Sequence, residues 1–321
     1  MDIEATADRL ASLLLDGGGG LREATSSGLE FEASLSLEPL QRTTVPPDCW
    51  AVDGGQALVA DARSLQVYAT RASTVRWRSS RTVMEDEGAL RIHLLGSGEE
   101  RAALAALESP VDPKAAVDVN LLRDWGEWEA VASAVELAEA GGMVLVDGDL
   151  QPDWRIPAWW LSSLLERANS RQVVLAGVTK HSSLSRGGAP LVGALEQQAA
   201  AELGRRATWW TRVARTRPEV GSGLQVVVAR LDPDAPYAFR VDLPADSDAP
   251  AALGALSALC DDAAFPGYPY PLSVADRVAA CAGWVRSEVW DRMSERFDRR
   301  GVPTEVRERA FDDRHRMMER A

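Results

Sequence analysis

The chain has 321 residues, 46% of them apolar and 26% charged, an ordinary balance for a globular protein. No stretch approaches the roughly 18–20 consecutive apolar residues of a membrane helix. The net charge of −13 excludes binding of nucleic acid over the whole surface, though not in a local basic groove.

Ala5 to Leu15 carries helical spacing, stopped by Gly17 to Gly20, and residues 21–47 read as a polar leading loop ending at Pro46-Pro47. A strand is expected over about 50–53, with Gln56 to Val59 either continuing it or opening a hairpin. Residues 64–70 and 73–78 alternate as antiparallel strands do, and 89–95 reads as another. A helical pattern from about 98 to 140 ends at Gly141-Gly142, and strand 143–147 follows at once. Then come a helix over Trp159 to Ala168, a buried strand over 172–178 ending at Thr179-Lys180, and a helix over Leu191 to Ala207. Strands over 224–231 and 237–243, a helix over Ala251 to Cys260, and a rigid Pro266-to-Pro271 turn precede a long helix over 272–296. The tail, 297–321, is charged and helical.

Hairpin strands followed by strand–helix alternation describe a mixed α/β sheet, an order that fits an RNase H-like core flanked by helices. The expected organisation is residues 1–47 as helix and leading loop, 48–296 as the core domain, and 297–321 as a helical tail. An acidic N-terminus with no basic-then-apolar segment reads as cytoplasmic. The scattered Cys49, Cys260 and Cys281 show no CxxC spacing and read as reduced thiols.

Two apolar runs end alike, in Ala51-Val52-Asp53-Gly54-Gly55 and in Val144-Leu145-Val146-Asp147-Gly148-Asp149. A carboxylate at the carboxyl end of a buried strand, followed by glycine, stands where α/β sheets place their active sites. Each alone is an ordinary Asp-Gly turn; two together point to converging carboxylates, which repel unless a cation joins them. Glu127 sits four residues before Val131 on the helix ahead of strand 143–147 and reaches the sheet edge; Glu129 competes with it, and both also fit a solvated helix face. Asp276 lies one to two turns into the helix entered by the proline turn, where a surface aspartate is also at home. Lys180, one of only two lysines with Lys114, ends an apolar run. There it can hold a phosphate, balance a carboxylate cluster, or simply snorkel.

Together these residues describe a two-metal phosphodiester site in which Asp53, Glu127, Asp147 and Asp276 hold Mn2+ or Mg2+. The histidines, His93, His181 and His315, are too scattered for a zinc triad. Two acid-free stretches suggest DNA contacts: 68–82, with Arg76 and Arg78, and 205–217, with Arg205, Arg206, Trp209 and Arg212. Arginine attracts phosphate and indole stacks on unpaired bases. The competing reading is a solvated arginine face with its tryptophans in the core.

The chain resembles the NurA family of DNA-repair nucleases. The resemblance is carried in order by Ala51-to-Gly55, the Arg123-to-Glu127 helix, Val144-to-Leu150, Gly177-Val178-Thr179-Lys180, and Gly267-to-Leu272 running into Ala275-Asp276-Arg277. It implies an RNase H-like fold and Mn2+-dependent exo- and endonuclease action in 5′-to-3′ DNA end resection. It also implies a homodimer that docks on a HerA-type hexameric ATPase. By position it implies Asp53, Glu127, Asp147 and Asp276 as metal ligands and Lys180 as a phosphate contact. Gly55 and Asp149 stand where small hydroxyl residues are expected, and Asp276 where many members have histidine. Two other readings compete. One is an inactive DNA or ATPase adaptor of the same family. The other is a haloacid-dehalogenase-type phosphatase with Asp147 as nucleophile.

Overall fold

The structure, a computed structural model, describes residues 2–16, 19–23, 28–217 and 223–311. In chain order the elements begin with α1 (Ile3–Asp16), β1 (Leu21–Glu23), β2 (Leu29–Phe31) and β3 (Glu38–Pro39). Four strands follow: β4 (Cys49–Asp61), β5 (Gln66–Arg78), β6 (Arg81–Asp86) and β7 (Arg91–Leu95). Next come α2 (Glu100–Ala105), α3 (Val119–Leu137), β8 (Met143–Asp147), α4 (Ala158–Ser170) and β9 (Val174–Thr179). The small β10 (Leu184–Arg186) and β11 (Ala189–Pro190) lead to α5 (Leu191–Glu202), β12 (Trp209–Thr216), β13 (Leu224–Arg230) and β14 (Phe239–Pro244). The last helices are α6 (Ala249–Ser257), α7 (Tyr270–Ala279), α8 (Gly283–Arg299) and α9 (Thr304–Phe311).

One large mixed sheet runs in the order β2-β12-β13-β14-β9-β8-β4-β5-β6, with β3 on β12 and β7 on β5. Its centre is parallel, β4 beside β8 beside β9, and antiparallel strands flank it. Period-two alternation sorts these central strands between two cores. Trp50 and Val52, Val144 and Val146, and Leu175 pack with α3 and α4 on one face. Cys49 and Ala51, Met143 and Leu145, and Ala176 and Val178 pack with α6 and α7 on the other. A strand covered on both faces reads as a continuous apolar run, which is why β4, β8 and β9 were visible.

Several expectations change. The leading loop carries β2 and β3, which pair with β12, so two short pieces of it join the main sheet. β4 continues unbroken to Asp61, and the two strands expected over 64–78 are one strand, β5, paired along it. The helical pattern of 98–140 holds two helices with a loop between them, α2 and α3. The single helix expected over 272–296 is broken between Ala279 and Gly283, and the boundary placed at 296/297 falls inside α8. The helix expected over Leu191 to Ala207 ends at Glu202, and the basic stretch 205–217 contains β12. His315 and the tail beyond Phe311 lie outside the described residues. Among the described residues no helix is long and apolar enough to cross a membrane.

Candidate functional site: a carboxylate cluster at the strand ends

Strand parity builds the site. Asp53 follows Ala51 by two residues, Asp147 follows Leu145 by two, and Lys180 follows Val178 by two, so all three face the α7 side. The parallel register pairs Ala51 with Leu145 and Val52 with Val146, bringing Asp53 level with Asp147. α7 is entered through Pro269 and carries Pro271 in its first turn, a position whose fixed φ suits a helix start. Its apolar residues Leu272, Val274 and Ala275 are buried on the sheet, which places Asp276 over the strand ends. One carboxylate oxygen from each of Asp53, Asp147 and Asp276 lies within 4.8 Å of the others. Lys180 closes the group: its Nζ is 2.6 Å from Asp147 Oδ2 and 3.0 Å from Asp276 Oδ1.

Glu127 arrives from the opposite face. It can do so because Gly54 has no side chain: a Cβ there would lie 2.3 Å from Glu127 Cγ. Arg123, one turn earlier on α3, sits with its Nε 3.5 Å from Glu127 Oε2. Glu129 does not face the site; it pairs with Arg91 at 2.6 Å. The choice left open between the two glutamates therefore falls to Glu127 as the cleft residue. Asp53, Glu127, Asp147, Lys180 and Asp276 line one cleft of about 420 Å³ together with Arg123, Asp124 and Asp149.

The electrostatics are those of crowded acids. Burial pushes the Asp53 carboxyl well above the usual carboxylate range, and Asp147, Glu127 and Asp276 push the same way against one opposing Gly54 N–H. Burial raises Glu127 to about 7, with Asp124 and Asp147 adding to the rise and Arg123 opposing it. For Lys180, burial works against the charged form, but its contacts with Asp147 and Asp276 outweigh it and raise the group. The donor set is entirely hard oxygen, the chemistry that suits Mg2+ or Mn2+. A divalent cation would relieve the repulsion that raises Asp53, so the residues present fit such an ion.

This crowding predicts a pH-dependent metal effect. A carboxyl raised from 4.5 to about 7, as Glu127 is, stabilises the fold when protonated and loses that contribution as pH rises between those values. Metal must displace the proton, so the rise in Tm given by Mn2+ is expected to be small at pH 5.5 and several degrees larger at pH 8. Thermal unfolding with Mn2+ and with EDTA at the two pH values measures it; an equal rise at both would remove the raised carboxyls from the site.

The loop after Asp147 is held from beneath. Gly148 adopts φ +141°, a backbone that side chains disfavour. Leu150 N–H donates to Asp242 Oδ2 at 3.2 Å, and buried Arg240 binds Asp242 and Glu23, with Asp149 3.8 Å away. Asp149 therefore answers to this arginine, and burial followed by the Asp242 charge raises it. Asp124 accepts from Asp153 N–H at 2.8 Å and ties down the next part of the loop, where Trp154 is 84% exposed.

Gly55 also has a structural reason. A Cβ there would lie 2.0 Å from the Ala279 carbonyl oxygen, at the break between α7 and α8. The small hydroxyl residue that the family resemblance leads one to expect at this position does not fit. Gly55→Ser is expected to shift the end of α7 and cost about 1–3 kcal/mol in urea unfolding; an unchanged midpoint would show that the α7–α8 break yields freely.

The basic stretches fare differently. Trp209 is 1% exposed and belongs to the core between α5 and the sheet, so it is not a stacking surface. Arg76 and Arg78 lie at the opposite end of the sheet from Asp53, ion-paired with Asp48 and Glu139. Arg212 is half-buried and paired with Glu32. Arg205 and Arg206 are exposed just ahead of β12, at the same sheet end as the cleft but four strands from β8, and Arg206 pairs with Asp234. Reading by sequence passed over Tyr268, buried beneath Lys180 with its ring centre 5.2 Å from Nζ. It also passed over Asp124; both stand inside stretches that carry the resemblance, Arg123-to-Glu127 and Gly267-to-Leu272, but the resemblance gives neither a role there.

No protein-family model and no curated protein matches the chain in sequence. Solved structures do. The NurA nuclease from Sulfolobus solfataricus superposes with a TM-score of 0.59 at 16% identity, covering 92% of this chain and 93% of that one. A second NurA structure matches with a TM-score of 0.48 at 8% identity, over 85% and 91% of the two chains. The catalytic domain of human Endonuclease V matches with a TM-score of 0.39 at 16% identity, over 94% and 96%. The fold is RNase H-like and resembles that NurA nuclease over 92% of the chain.

Proposed function

We propose that the protein is a divalent-metal-dependent deoxyribonuclease of the NurA kind. The observation that carries this is the convergence of Asp53 of β4, Asp147 at the end of β8 and Asp276 of α7, with one oxygen from each within 4.8 Å of the others. In this reading Asp53, Asp147 and Asp276 hold the metal, with Glu127 completing the set from the other face. Mn2+ or Mg2+, as a pair of ions, would supply charge for the attacking water and the leaving oxygen of a phosphodiester.

The chain's own cations supply the rest. Lys180 and Arg123 stand on either side of the carboxylates and line the cleft, so each can meet a phosphate oxygen. Arg205 and Arg206, at the same sheet end, would hold more distant backbone phosphates. In a protein of net charge −13, such local cations need help to hold DNA, which favours a homodimer channel and a HerA-type hexameric ATPase that feeds DNA ends to it. Exo- and endonucleolytic 5′-to-3′ end resection in DNA repair follows from the same reading.

The test is cleavage of end-labelled single- and double-stranded DNA by the pure protein with Mn2+, Mg2+ or EDTA, repeated with the ATPase. Metal-dependent cutting supports the nuclease. Binding of the ATPase without cutting under any condition would make the protein an adaptor, and an aspartyl-phosphate trapped on Asp147 would make it a phosphatase.

A further inference from the structure

Lys180 occupies an unusual place for a phosphate contact. Its ammonium does not point along the cleft toward open solvent. It sits between two of the three clustered carboxylates, 2.6 Å from Asp147 Oδ2 and 3.0 Å from Asp276 Oδ1. Asp147 Oδ2 is buried; Lys180 is the cation beside it, and the buried Tyr268 hydroxyl acts on the same carboxylate. The lysine is therefore the counter-charge for two of the carboxylates that the proposed function gives to a metal. An ammonium and a divalent ion on the same pair of carboxylates repel strongly, so metal binding works against the lysine's place there. Lys180 is also free to leave. Its side chain is 34% exposed and ends a strand at the cleft rim, and its four-carbon stem is flexible.

We propose that Lys180 is an exchangeable internal cation. It holds the carboxylates together in the metal-free protein, is expelled when metal binds, and is thereby released toward the cleft, where a substrate phosphate would lie. This rests on the metal-dependent reading above. It adds that metal loading and readiness for phosphate are one event, and that Lys180 lowers metal affinity by competing for the ligands.

The composition makes the test clean, since Lys114 and Lys180 are the only lysines. Biosynthetic labelling with 13C-lysine gives two side-chain 13Cε signals by NMR, and Lys114→Arg assigns them. Mg2+ is then titrated into the protein while calorimetry follows binding. The Lys180 13Cε signal is expected to move in step with the heat while that of Lys114 stays still. Lys180→Gln is expected to bind Mn2+ at least about ten-fold tighter and to melt lower without metal, and Lys180→Arg, which keeps the charge, to stay within about three-fold of the parent. Metal binding with a motionless Lys180 signal, or a Lys180→Gln affinity within two-fold of the parent, would overturn the exchange and leave the metal site intact. Absence of metal binding in both parent and Lys180→Gln would overturn the metal reading and this inference with it.

Discussion

Asp53→Asn is expected to abolish DNA cleavage and, in the same protein, to raise the melting temperature without metal. Asp53 is 8% exposed and is crowded by Asp147, Glu127 and Asp276. The amide keeps the shape and can still meet the Gly54 N–H that Asp53 Oδ1 accepts at 2.7 Å, but it carries no charge for a cation. Loss of an anchor ligand should reduce cleavage by about 10³-fold or more, on the order of 4 kcal/mol of barrier. Removing a repelled buried charge should stabilise the metal-free fold at pH 8 by on the order of 1–2 kcal/mol. Asp147→Asn should lose cleavage equally but gain no stability, because Asp147 already has Lys180 at 2.6 Å. End-labelled DNA assays with Mn2+, run beside urea unfolding with EDTA, separate the two effects. Retained cleavage in Asp53→Asn would take Asp53 out of the site; a lower stability would show that its charge is compensated.

Arg240→Leu is expected to be the most damaging single change away from the cleft. Arg240 is 1% exposed and binds Asp242, which is fully buried, and Glu23. Removing a cation from such a group leaves buried carboxylates unpaired, a cost of about 3–5 kcal/mol. Arg240→Leu with Asp242→Leu should recover part of that loss, since the pair is then replaced by apolar groups. Urea unfolding of the single and double variants measures this, and a single variant within about 1 kcal/mol of the parent would refute it. The double variant should also cleave less, because Asp242 holds the Leu150 N–H in the loop after Asp147.

What could be read from residues alone was set by local periodicity. An apolar run covered on both faces, ending in Asp-Gly, singled out Asp53 and Asp147; Asp147 does end β8, whereas Asp53 lies inside β4, which runs on to Asp61. Parity along a strand is a local property, so Asp53, Asp147 and Lys180 were nameable before any contact was known. The remaining decisions needed partners far away in sequence. Glu127 and Glu129 stand two positions apart on α3, and only the missing side chain at Gly54 and the presence of Arg91 assign one to the cleft and one away from it. The break after Ala279 has no proline or glycine of its own until Gly283; it coincides with the approach of the Ala279 carbonyl to Gly55. Trp209 and the arginines around it look like a nucleic-acid surface in one dimension. Insertion of β12 between β2 and β13 turns the indole into core, because strand pairing is non-local and decides which residues lose water. Arg76 and Arg78 emerge away from the cleft, a placement that composition cannot give because it does not say at which end of a sheet a charge will emerge. Sequence alone determined which residue types close the apolar runs; tertiary structure decided where the strands end and which of these residues meet, because both depend on register and on the faces that distant helices cover.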